Sequence, residues 1–245
     1  LFGRVAADGF AAVQLAYKKC VPSVRSYADV TDALVAGTVA AEKAHSIQVA
    51  VLGTYVELAI NDESRLKNAA DFKSQLAVCK ALGAGCIGTE TTSMEKQPAG
   101  TTREEAQELL CRSLADILPA AEALGVTVAV EPVTYHSMNS AATRHILDTM
   151  RSPNLKVIFD MSNLVDAGNV GAQDRIWNDV GELLGDQIVA VHFKGQAFAP
   201  DGGLLHTSLE DSLTDYAGAF AMLRQLPQDA LPVLREEAVP ARAAS

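Results

Sequence analysis

The chain has 245 residues, of which 49% are hydrophobic and 20% charged, so a sizeable packed core is expected and global disorder is excluded. A net charge of −10 repels nucleic-acid backbones, and no apolar run is long enough to cross a bilayer. Cys20, Cys79, Cys86 and Cys111 form no CxxC pair and read as small core residues of a reducing, cytoplasmic compartment.

The opening LFGRVAADG reads as the end of a helix, and the chain begins at Leu1 rather than Met, so an upstream segment is expected. Strand-type runs follow at 12–16, 47–53, 86–89, 126–130, 156–159, 188–193 and 232–235. Helical stretches alternate with them. Residues 65–82 are followed by Gly83. In 102–123, Thr102 and Glu105 form a capping-box pair, and Ala106, Leu109, Leu110, Leu114, Ile117, Leu118 and Ala121 recur at helical spacing before Gly125. Residues 140–150 start after Asn139, a natural cap, and stop before Pro153, while 215–226 form the last long helix. No linker divides residues 1–245, so one domain is expected. The longest stretch without a secondary-structure signal is 196–207.

Regular strand–helix alternation implies right-handed crossovers and a parallel sheet. Seven strands are one short of a (β/α)8 TIM barrel, and the simplest account is that the first strand lies upstream of Leu1. The alternative is an open doubly wound sheet, but no GxGxxG turn follows an early strand.

The stretch VTVAVEPVTYHSMN carries the first functional signal. Val126–Val130 suits a strand buried on both faces, and Pro132 stops it just after Glu131. Three later strands also end on polar groups, at Asp160, His192 and Glu236. Alternate strand residues share a face, so if Glu131 points inward, Asp160, His192, Lys194 and Glu236 do as well. A one-residue slip would exchange Glu236 for Glu237. Taken singly, such an acid is most often a helix cap or an ion-pair partner. Three carboxylates and an imidazole at matching parity instead describe a divalent-cation site. The oxygen-rich set favours Mn²⁺ or Mg²⁺, and the histidine admits Zn²⁺ or Co²⁺. Lys194 shares the inward face with His192, Glu90 ends its strand on the inward side, His136 follows Glu131 in a loop, and His206 sits in the 196–207 stretch, so these four are candidate substrate-binding groups. His45, His145 and Trp177 are assigned no catalytic role.

These residues resemble the xylose isomerase-like TIM barrels, the sugar phosphate isomerases and epimerases. ADGFAAVQLA, LGAGCIGTE, VAVEPV, VIFDMSN, VAVHFKG and VLREE resemble that family's strands in order, over nearly the whole chain. The resemblance implies Glu131, Asp160, His192 and Glu236 as metal ligands. It also implies Asn163 as a substrate contact, where many relatives carry a second histidine. Two departures stand out. Phe198 occupies the place of an arginine found in relatives that epimerise free ketohexoses. LEDSLTDY replaces a glycine-rich turn, and Glu210 and Asp211 there would repel a phosphate.

The function expected is metal-dependent isomerisation or epimerisation of a sugar or polyol. Glu131 and Glu236 would exchange a proton beside a carbonyl as base and acid. The partners expected are a small sugar or polyol and further copies of the chain, with neither nucleic acid nor membrane. The competing readings are a degenerate barrel that binds sugar without catalysis and an abasic-site endonuclease. The second is disfavoured by the acidic charge and by only five histidines.

Overall fold

The computed structural model describes residues 1–133 and 139–226, together with the backbone of Val233–Glu236. It divides into two compact units, residues 1–130 with 146–156 and residues 131–145 with 157–245.

The first unit runs α1 (Phe2–Ala7), β1 (Ala12–Leu15), α2 (Tyr17–Cys20), α3 (Asp32–His45), β2 (Gln48–Gly53), α4 (Asp62–Leu82), β3 (Cys86–Glu90), α5 (Arg103–Leu124) and β4 (Val128–Glu131), whose last residue belongs to the second unit. The strands lie in the order β1-β2-β3-β4, and both β1 with β2 and β2 with β3 pair parallel. The helix ends follow the local chemistry of the sequence. Thr102 accepts from the Glu105 N–H at 3.1 Å, and Glu105 returns a bond to the Thr102 N–H at 2.7 Å. At the other end Gly125 adopts φ 67°, and the Val126 N–H reaches back to the Ala121 carbonyl at 2.9 Å. That cap uses residues read from sequence as strand, so β4 begins two residues later than expected. Phe72, Leu76, Leu110, Leu114 and Ile117 are fully buried on α4 and α5.

The chain continues with α6 (Ser140–Met150) and β5 (Leu155–Asp160), each shared between the units because 146–156 belongs to the first, and the second unit goes on with α7 (Gln173–Leu184), β6 (Ile188–Phe193), β7 (Gln196–Phe198), β8 (Leu204–His206), α8 (Tyr216–Leu223) and β9 (Val233–Glu236). Asn139 caps α6 by accepting the Ala142 N–H at 2.9 Å. Strand β6 pairs parallel with both β5 and β9. Phe159, Trp177, Val191, Ala219 and Leu223 share its buried apolar cluster.

The 196–207 stretch departs from expectation. It is an antiparallel hairpin in which β7 pairs with β8. The runs are too short for periodicity to register, but the turn between them is Ala-Pro-Asp-Gly-Gly. Gly202 takes φ +85°, and Asp201 Oδ1 accepts the Gly203 N–H at 3.0 Å. Phe198 packs against the apolar cluster, which gives the residue at this family-departing position an anchoring role. Among the described residues no helix is long and apolar enough to cross a membrane.

Candidate metal centre

At or one residue before the ends of β4, β5 and β6, the second unit carries ionisable side chains that the fold buries. Glu131 is 2% exposed, while Asp160 and His192 are wholly buried. In the parallel register Asp160 lies opposite His192, which puts the two on one face. One ligand atom from each of Glu131, Asp160 and His192 falls within 4.8 Å of the others.

The two carboxylates are held in the same manner, each with one oxygen tied to a fixed donor. Asp160 Oδ1 accepts the backbone N–H groups of Ser162 at 2.8 Å and Asn163 at 3.1 Å. It thereby satisfies two donors of the single 3₁₀ turn Ser162–Leu164. Asp160 Oδ2 accepts from the Lys194 ammonium at 2.8 Å. Glu131 Oε1 accepts a short hydrogen bond from the Asn163 amide, and its Oε2 faces His192 Nδ1 at 3.3 Å.

Two carboxylates and one imidazole that converge in a dry place match the donor set of a hard or borderline divalent cation. The residues present fit such an ion. Burying two carboxylates side by side is costly, and a cation at the centre would offset that cost.

Around this cluster stand residues that sequence reading passed over. Ser162 Oγ donates to the Lys194 carbonyl at 2.7 Å, and the Tyr216 hydroxyl makes a short bond to the same carbonyl. Gln196, buried to 2% exposure, donates to the carbonyls of Ser162 at 2.7 Å and Val165 at 3.1 Å. Gly195 is required at its position, because a Cβ there would fall 2.2 Å from the carbonyl oxygens of Thr207 and Ser208. The sequence held one readable sign of this arrangement. Asp160 followed at once by Ser162 and Asn163 is a cap pattern that starts a turn.

The remaining candidates are dispersed. Asn163 and Lys194 belong to the cluster through Glu131 and Asp160. His206 is exposed on β8, where it pairs with Gln196 across the hairpin. Glu90 is half-buried at the end of β3 in the first unit. His136 and the side chain of Glu236 lie outside the described residues, as does Glu237. The backbone register sets Arg235 against His192 and Glu236 against Phe193, so β9 is paired one residue away from the parity expected from sequence, in which Glu236 shared the face of His192.

Parallel strands alternating with helices define the class as a (β/α) protein. The chain belongs to the xylose isomerase-like TIM barrel family, whose model matches residues 2–236. The (β/α)8 fold expected from sequence is the fold of that family. No curated protein sequence matches the chain. Among solved structures, a xylose isomerase domain protein from Planctomyces limnophilus is similar at TM-score 0.74 and 18% identity, over 96% of this chain and 83% of that one. The IOLI protein, solved with a binding zinc atom, is similar at TM-score 0.76 and 17% identity, over 95% and 81%. The 3-keto-D-glucoside 4-epimerase of E. coli is similar at TM-score 0.70 and 17% identity, over 100% and 87%.

Proposed function

We propose that the chain is a divalent-metal-dependent isomerase or epimerase of a sugar or polyol-like substrate. The observation that carries this reading is the buried Glu131, Asp160 and His192 cluster, with ligand atoms within 4.8 Å of one another. The family match supports it. So do the reported activities of similar folds, a 3-keto-D-glucoside 4-epimerase and a D-psicose 3-epimerase studied with D-fructose.

Glu131, Asp160 and His192 would hold the cation, and Glu236, whose backbone stands at the register position of Phe193, is proposed as the fourth ligand. Mn²⁺ or Mg²⁺ suits the oxygens, and the zinc in the IOLI protein keeps Zn²⁺ in the set. When bound, the cation polarises a carbonyl and an adjacent hydroxyl, which acidifies the carbon between them. The residues do the rest. Glu131 takes the proton from that carbon on one face, and Glu236 returns one on the other. Asn163 fixes the Glu131 carboxylate through its amide and offers its remaining polar capacity to a substrate hydroxyl. Lys194 stands on the face of His192 as a donor to substrate oxygen, and Glu90, His136 and His206 supply outer polar contacts. The acidic Glu210 and Asp211, both exposed, favour a substrate without phosphate.

The test is to load the EDTA-treated chain with Mn²⁺ or Zn²⁺ and incubate it in D₂O with a panel of ketoses, 3-keto sugars and polyol-derived ketones. Deuterium should enter one carbon beside the carbonyl of at least one substrate. Absence of exchange across the panel in a chain that binds the metal would refute proton transfer.

A further inference from the structure

We infer that Lys194 occupies the second carboxylate oxygen of Asp160 in the metal-free chain and gives it up when a divalent cation binds. The inference rests on the reading of this cluster as a metal centre. The two oxygens of Asp160 are not equivalent. Oδ1 is committed to the backbone N–H groups of Ser162 and Asn163, which the turn itself fixes. Oδ2 is therefore the oxygen that can answer a cation, and Lys194 Nζ already lies 2.8 Å from it. Asp160 is wholly buried and the lysine side chain is 11% exposed, so this contact is made with little screening by water.

An ammonium and a divalent cation at one carboxylate oxygen repel each other, so each weakens the binding of the other. The backbone at Lys194 cannot yield readily. Its carbonyl takes bonds from Ser162 Oγ and the Tyr216 hydroxyl, and Gly195 behind it is wedged against the carbonyls of Thr207 and Ser208. Movement is left to the four-carbon side chain, whose rotamers are soft. The residue follows His192 by two positions, so the released ammonium stays on the face of the cluster and becomes a donor for a substrate oxygen. By reciprocity, a substrate that engages the ammonium should in turn tighten the cation.

Lys194→Met separates this exchange from a purely structural ion pair. Calorimetric titration of the EDTA-treated variant with Mn²⁺, and then Zn²⁺, should give a dissociation constant tighter than wild type by on the order of tenfold. Lys194→Arg, which keeps the charge, should stay near the wild-type value. The metal-free Lys194→Met chain should melt below wild type, and its metal-induced rise in melting temperature should be the larger of the two. A structural ion pair predicts a lower melting temperature with an unchanged metal increment, and that outcome overturns the inference.

A second reading uses the wild-type chain alone. Acylation of the Lys194 amine, followed by mass spectrometry, should rise several-fold when Mn²⁺ is added. Unchanged reactivity in the metal-bound chain also overturns the inference. A wild-type chain that binds neither cation removes this inference and the metal centre together, whereas binding with no lysine effect removes this inference alone.

Discussion

The strand ends of the two units differ in how deeply they bury ionisable groups. In the first unit β1 ends on Leu15 and β2 on Gly53, both buried and uncharged, while β3 ends on Glu90, which is ionisable but only half-buried. In the second unit Glu131 and Asp160 end β4 and β5, and His192 stands one residue before the end of β6, all three buried and ionisable. The units also manage buried titratable groups in opposite ways. In the first, burial alone pushes the Cys79 thiol up to about 12 and dominates in raising the Tyr27 hydroxyl to about 12, so both stay neutral at ordinary pH. In the second, Asp160 is met by two backbone donors and an ammonium. An isolated buried group is neutralised by its surroundings, whereas a charge that must persist requires partners.

If this division of roles is correct, damage to the first unit should change stability and leave the cation response alone. Phe72 is fully buried on α4, and Phe72→Ala should cost about 3–5 kcal/mol, read by urea unfolding. The rise in melting temperature on adding Mn²⁺ should survive in this variant. Loss of that rise at a temperature where the variant is folded would break the distinction between the units.

A smaller effect is expected at Gly195, where the second unit holds its hairpin. Alanine there needs the backbone of Thr207 and Ser208 to shift, which should cost about 1–3 kcal/mol. The Thr207 N–H donates to the Gly195 carbonyl at 3.1 Å, so its amide exchange should accelerate more than that of the amides in α4 and α5. Uniform acceleration would mean that the hairpin is not a local module.

The fold was legible in the sequence wherever a single local rule decided the outcome. Thr102 with Glu105, Asn139 before α6, and the glycines after α4 and α5 each mark a helix end that the structure reproduces. The apolar runs located the parallel strands to within about two residues. Where two rules competed for the same residues the reading slipped. Val126 looks like strand but serves the helix cap, and 196–207 looks like loop because three-residue strands carry no period. Side-chain parity brought Glu131, Asp160 and His192 to one place, since alternation along a buried strand leaves no other choice. Pairings made through backbone carbonyls were invisible. No residue pattern announces that Ser162, Gln196 and Tyr216 converge on the chain around Lys194.

The smallest stability change, and the most direct test of what the second unit is for, comes from Glu131→Gln. Glutamine has nearly the same shape, and its Oε1 still accepts from Asn163. Its Nε2 replaces the oxygen that faces His192 Nδ1 at 3.3 Å, and an amide there can donate to the imidazole. The substitution also removes one of two carboxylates that share a buried cluster, and like charges so placed oppose each other. The metal-free variant should therefore be at least as stable as wild type, by up to about 1 kcal/mol, as is common when a charge kept for function is removed. The same change takes an anionic ligand from the cation, so the Mn²⁺-induced rise in melting temperature should shrink or vanish. The two measurements are expected to move in opposite directions. A variant destabilised without metal and stabilised by it as fully as wild type would mean that Glu131 serves the core, and the contrast between the units would fail at its central residue.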